Sequence, residues 1–215
     1  MPTMTSPASA IILAGGQSRR MGRPKATLEF AGRTILERII AEMGTGFDDL
    51  IVVAAPVARE PLALRDALGS SAPAVRIVRD ETAYGGAALA LARGLAGARH
   101  EVAFACSCDL PLLRAATARA LVEMLDGYDA VVPLIGGKAQ PLCAVYRRAV
   151  AETIVTRTIA GELRLTAIAA GLHAYRPDEA ELSRIDPGLH SFLNVNTPAD
   201  CARALKLVAR SSSGD

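Results

Sequence analysis

The sequence predicts a three-layered α/β fold around a mainly parallel sheet, and three observations carry that reading. Short runs rich in Val, Ile and Leu recur along the chain as AIILAG, LIVVAA, VRIVRD, EVAFACSCD and DAVVPLI. Most are continuously apolar rather than alternating, which is the pattern of strands covered on both faces. Ala-rich segments with helical spacing separate them and supply the two outer layers. Hydrophobic residues make up 51% and charged residues 21% of the 215, a balance that excludes a disordered chain and a coiled coil and suffices for one sizeable core. The expectation is a single domain over residues 1–215, ordered from about 10 to 209, with a flexible tail at 210–215.

Taken in order, the first strand is AIILAG, and it stops at Gly15-Gly16. Helical spacing then predicts helices over 34–42, 60–68, 87–95, 117–125, 149–159 and 199–208, with the remaining strands between them. The segment QPLCAVYRR alternates like a strand exposed on one face. Its place after DAVVPLI, with Gly136-Gly137 between them, predicts a hairpin or an antiparallel insertion. The polar stretch 176–190 reads as a loop. For the last helix, Asn196-Thr197-Pro198 offers an N-cap and a first-turn proline, and Asp200 sits where the helix dipole favours negative charge.

Several function classes drop out early. A net charge of +2 gives no sequence-independent grip on nucleic acid, and 4% aromatic residues leave few platforms for stacking bases. The first ten residues, MPTMTSPASA, hold no basic residue, and the following apolar run is cut short at Gly15. Neither a secretory signal nor a membrane span fits, so the expectation is a cytoplasmic protein with no membrane partner. Cysteines at 106, 108, 143 and 201 form no CxxC pattern, which points to reduced, buried thiols, with Cys106 and Cys108 on one strand face. His100, His173 and His190 are dispersed, so no catalytic triad is signalled.

The loop after the first strand carries the chemistry. In open α/β sheets ligands bind beyond the carboxyl ends of the strands. Gly15 and Gly16 let backbone amides approach a phosphate, and Arg19, Arg20, Arg23 and Lys25 bring positive charge to it. The spacing is not that of a Walker A loop, since five residues separate Gly16 from Gly22 and Lys25 precedes alanine. Nor does GGQSRRMG match a GxGxxG fingerprint. On composition alone, a solvated basic loop is the favoured reading, since charge runs usually lie on the surface. Two acidic residues shift that balance. Asp80 closes VRIVRD and Asp109 closes EVAFACSCD, which puts both at the sheet edge where the loop emerges. Carboxylates there suit Mg²⁺, which takes one or two of them and keeps its waters. Asp80 also fits an ordinary turn; Asp109 is harder to explain locally, because its strand is otherwise so apolar.

Together, LAGGQSRRMGRPK at 13–25, CDLPLL at 108–113, PLCAVYRR at 141–148 and FLNVNTPAD at 192–200 closely resemble the molybdenum cofactor guanylyltransferase family. The resemblance implies a Rossmann-like nucleotidyltransferase fold and transfer of GMP from GTP to molybdopterin with release of pyrophosphate, dependent on Mg²⁺. It implies nucleotide contacts at Leu13, Ala14, Gly15, Gly16, Lys25, Asp80 and Asp109, catalytic roles for Asp109, Lys25 and Arg19, and a metal on Asp109. Asn194 and Asn196 fall in the closing motif, near the pterin or a second metal, and Asn196 alternatively caps the last helix. Two departures bear on base choice: Ala54 replaces the family's usual asparagine, and AYGGAALAL replaces a GPLAGI-like segment. A cytidylyltransferase acting on molybdopterin, or a sugar-phosphate nucleotidyltransferase, is therefore the alternative. The implied partners are GTP and molybdopterin, with transient contact to proteins that deliver molybdopterin or mature molybdoenzymes, around a monomer or weak oligomer.

Overall fold

A computed structural model describes residues 6–14, 25–54, 75–79 and 86–212. Its central sheet contains seven strands, β1 (Ser9–Leu13), β4 (Asp49–Ala54), β5 (Val75–Arg79), β6 (Val102–Ser107), β7 (Ala130–Val131), β10 (Cys143–Arg147) and β11 (Ala174–Tyr175), in the order β11-β7-β10-β6-β1-β4-β5. β1 pairs in parallel with both β4 and β6, β4 with β5, and β11 with β7, whereas β10 runs antiparallel to β6 and β7. Six strands thus share one direction and β10 opposes them. Two small hairpins complete the strands, β2 (Glu29–Phe30) with β3 (Arg33–Thr34) and β8 (Leu134–Ile135) with β9 (Lys138–Ala139). The second turns at Gly136-Gly137, where φ is +56° and +69°, the left-handed region glycine adopts without steric cost. Here the expected hairpin is found.

Alternate residues of each strand feed two separate cores, which is why the central strands are continuously apolar. Ile12, Val52, Phe104, Cys106 and Val145 face one layer, and Ile11, Ile51, Ala105, Ala144 and Tyr146 the other. The first core is covered by α1 (Ile35–Met43), α3 (Ala115–Glu123) and α7 (Pro198–Ser212). The second is covered by α2 (Gly86–Gly97), α4 (Val150–Ile159) and α5 (Leu165–Ala170). The predicted three layers are present. Local signals set the helix starts: in α1 the Thr34 hydroxyl accepts the Glu37 amide at 3.2 Å while the Glu37 carboxylate accepts the Thr34 amide at 2.8 Å. α2 seats directly on β1 and β4 because Gly94 lacks a side chain; a Cβ there would lie 2.5 Å from Ile11 Cγ2 and 3.2 Å from Val53 Cγ2.

Several expectations need correcting. QPLCAVYRR is not exposed on one face: β10 lies inside the sheet, and Tyr146 is fully buried with its hydroxyl donating to the Pro141 carbonyl at 2.7 Å. The stretch 176–190 contains a short helix, α6 (Glu179–Leu182), capped by Asp178. α7 continues to Ser212, through residues expected to fray. The strand before Asp109 ends at Ser107, so Asp109 stands in the turn beyond it. The helix predicted over 60–68 lies outside the described residues. Cys106, Cys108 and Cys143 are buried free thiols, and Cys106 and Cys108 do share one core. Burial pushes the Cys106 and Cys143 thiols up, which keeps them neutral and unreactive. Among the described residues no helix is long and apolar enough to cross a membrane.

At the amino-terminal edge of the sheet a polar latch joins four segments. Asp49, 1% exposed, accepts hydrogen bonds from the Ser9 hydroxyl at 2.6 Å, the Arg99 amide at 3.0 Å and the Arg76 guanidinium at 2.7 to 2.9 Å. The His100 amide donates in turn to the Ser9 oxygen at 3.3 Å.

Candidate active site

Strand order reverses beside β1. The chain steps outward from β1 to β4 and β5, then returns to the other side of β1 as β6. Such a switch point leaves a crevice beyond the carboxyl ends of the two diverging strands. Those ends are Leu13 and Ser107, which face each other in register.

Backbone bonds fix this corner. The Leu13 carbonyl accepts the Cys108 amide at 3.2 Å, and the Ala14 amide donates to the Val53 carbonyl at 2.9 Å. Both residues are buried, so their polar groups named here serve the sheet and launch the glycine loop from a rigid base. Directly after Cys108 comes Asp109, half-buried, with the Ser107 hydroxyl donating to its Oδ1. The Asp109 carbonyl accepts the Val195 amide at 2.8 Å. Val195 is fully buried, while Asn194 before it is half-buried and Asn196 after it is exposed. Backbone hydrogen bonds therefore join three distant parts of the sequence, 13–14, 107–109 and 194–196, at the carboxyl end of the switch-point strands.

Of the predicted site residues, the structure brings together Leu13, Ala14, Asp109, Asn194 and Asn196. Gly15, Gly16, Arg19 and Asp80 lie outside the described residues. The Lys25 backbone opens a 3₁₀ turn over Lys25–Thr27 that leads into β2, and its side chain is outside the description. The reading of Asn196 as the cap of α7 is corrected. Thr197 fills that place: its hydroxyl accepts the Asp200 amide at 3.2 Å, and the Asp200 carboxylate accepts the amides of Asn196 and Thr197 at 3.2 and 3.0 Å. The Thr197 hydroxyl also donates to the Asp200 carboxylate at 2.9 Å, and that bond, with those from the two amides, holds the Asp200 carboxyl below its ordinary range. Asn196 therefore lies one residue ahead of the cap, beside Asp109's partner Val195.

Two residues escaped the sequence reading. Ser107 carried a faint signal, a hydroxyl at the end of an apolar strand two positions before the acid. Val195 carried none, because it acts through its backbone. Among the described residues no group of three or more His, Cys, Asp or Glu side chains gathers into a metal cage. A single carboxylate at the crevice still fits Mg²⁺, whose other ligands are ordinarily waters and substrate phosphates. Asp109 is the described residue that would hold it.

Comparison with known proteins matches this architecture. The family model of the MobA-like NTP transferase domain matches residues 10–174. A molybdenum cofactor guanylyltransferase of Desulfosudis oleivorans is 34% identical over 198 residues, covering 91% of this chain and 93% of the relative. A probable molybdenum cofactor guanylyltransferase of Mycobacterium avium is 36% identical over 202 residues, covering 89% and 92%. Among solved structures, molybdopterin-guanine dinucleotide biosynthesis protein A of Archaeoglobus fulgidus superposes with a TM-score of 0.77 at 21% identity, covering 94% of this chain and 99% of that one.

Proposed function

Because the chain belongs to the MobA-like NTP transferase family and is a nucleotidyltransferase, we propose that it transfers GMP from GTP to the terminal phosphate of molybdopterin, forming molybdopterin guanine dinucleotide and releasing pyrophosphate. The observation that carries this reading is the Asp109 turn at the strand-order switch, with the closing motif bonded to it through Val195.

The acceptor phosphate is already anionic near neutral pH, so the chain needs no general base, in keeping with its scattered histidines. A bond forms from an acceptor oxygen to the α-phosphorus while the bond from that phosphorus to the bridging oxygen breaks, and pyrophosphate takes the electron pair. Gly15 and Gly16 admit the triphosphate close to the backbone, and Arg19 and Lys25 stabilise the charge that builds on the departing pyrophosphate. Asp80 belongs with the nucleotide. Asn194 and Asn196, which flank the Val195 amide bonded to the Asp109 carbonyl, orient the pterin. Mg²⁺ held by Asp109 would neutralise charge on the triphosphate. Ser107, by donating to Oδ1, orients that carboxylate. The protein works in the cytoplasm as a monomer or weak oligomer, in transient contact with proteins that supply molybdopterin or receive its product.

The test combines the protein with Mg²⁺, each nucleoside triphosphate in turn and molybdenum-loaded molybdopterin, and follows pyrophosphate. Release requiring both GTP and the pterin is expected. A requirement for CTP, or for a sugar phosphate in place of the pterin, would refute the assignment.

Ser107 gives a finer check. Removing one hydrogen bond to a charged group in Ser107→Ala should lower kcat about tenfold with little change in KM for GTP. Mn²⁺ binding, read by electron paramagnetic resonance, should weaken in parallel, and Ser107→Thr should restore both. If Mn²⁺ affinity is unchanged, Ser107 does not position Asp109.

A further inference from the structure

Away from the Asp109 turn, a groove of about 730 Å³ opens between α1, the β2–β3 hairpin, the chain at 111–114, the chain at 186–190 and α7. Its size falls in the range of small-molecule sites, roughly 300–1,000 Å³. Arg33, Arg38, Arg114 and His190 line it. Several arginines elsewhere meet carboxylates, as Arg76 does with Asp49, Arg148 with Glu101 and Arg203 with Asp200. Among the described residues, the three guanidiniums of the groove have no carboxylate in ion-pair reach.

Two acids do share the lining, Glu42 and Asp186, but each is engaged with the backbone. Glu42 accepts the Ala115 amide and Asp186 the Ser191 amide, both at 2.8 Å. Three arginines against these two leave the groove net positive. Arg38 is also held in advance of any ligand, with its guanidinium carbon 5.3 Å from the centre of the Phe30 ring and its Nε donating to the Pro111 carbonyl at 3.5 Å. His190 lies over Gly188, where φ is +85° and a Cβ would come within 2.9 Å of the ring. Such an arrangement suits a compact oxyanion, since an arginine fork can engage two of its oxygens at once.

We propose that this groove is a second binding site, for a small phosphate-bearing anion, separate from the nucleotide crevice. Its two walls lead to that crevice. Arg114 follows Asp109 by one short loop, His190 precedes Val195 by one turn of 3₁₀ helix, and the Arg114 amide joins the walls by donating to the Ser191 hydroxyl at 3.2 Å. The inference goes beyond the transfer reaction and does not rest on it, because binding can be measured with no turnover.

The experiment is calorimetric titration of the full chain with inorganic phosphate in one arm and ribose 5-phosphate in the other. Saturable binding is expected, weakened at least about tenfold in the Arg38→Ala/Arg114→Ala double variant while GTP binding is kept. Arg33→Ala/Arg114→Ala, which spares the contact with Phe30, should weaken it likewise and guards against a folding defect, with thermal melts run on both. Tighter binding of the sugar phosphate identifies an ester as the natural occupant, and equal affinities identify free phosphate. Equal affinities in wild type and both variants, or no saturable binding of either probe, would overturn the proposal.

Discussion

Asp109→Ala should reduce pyrophosphate release by roughly 10³-fold or more, the scale of losing a group that acts directly on transition-state charge, while its melting temperature stays within about 2 °C of wild type. The second half of that expectation follows from where the bonds are. The tie to Val195 uses the Asp109 carbonyl, which any residue keeps, and the side chain is only half-buried and accepts a hydrogen bond from the Ser107 hydroxyl. Asp109→Asn separates charge from shape, since the amide oxygen can still accept from Ser107. It should be as inactive as the alanine variant. Near-normal turnover in either variant would remove Asp109 from the chemistry.

The largest effect on stability is expected at the opposite edge of the sheet. Asp49→Ala should cost about 3 kcal/mol, because it leaves the Ser9 hydroxyl, the Arg99 amide and the Arg76 guanidinium without their common acceptor. For a chain of this length that corresponds to a fall in melting temperature of roughly 10 °C. Turnover at low temperature should survive, since the latch and the crevice lie at opposite ends of the strands. The pH dependence has a definite sign. Burial raises the Asp49 carboxyl, but hydrogen bonds from Ser9, Arg99 and Arg76 outweigh it and hold the folded-state pKa below the ordinary value. A depressed folded-state pKa adds stability above the unfolded-state value and loses it as pH falls through the folded one. The stability gap between wild type and Asp49→Asn should therefore be full at neutral pH and narrow in acid. A gap independent of pH would show that Asp49 contributes only through packing.

The layers and strand directions were legible because strands buried on both faces leave long apolar runs that a surface strand does not. The reading failed where a polar atom is buried with its own partner. Tyr146 gives β10 the look of an exposed face, yet its hydroxyl is satisfied by Pro141 five residues earlier. β11 and α5 are too short to show a period at all. At the crevice, Asp109 stood out as a charge ending an apolar run. The pairing of Asn194 and Asn196 with it came from family resemblance, since what joins them is the Val195 amide and the Asp109 carbonyl, groups every residue carries. Choosing Thr197 over Asn196 as the cap likewise depended on geometry, because both side chains can accept an amide proton.

The bond from Val195 to Asp109 also bears on how the protein is made. Synthesis proceeds from the amino terminus, and β1, β6 and Asp109 leave the ribosome long before residue 195 does. Until then the crevice lacks one of its walls, and the Asp109 carbonyl must be satisfied by water. A nascent chain can thus form the central strands of its sheet before the corner at Asp109 closes.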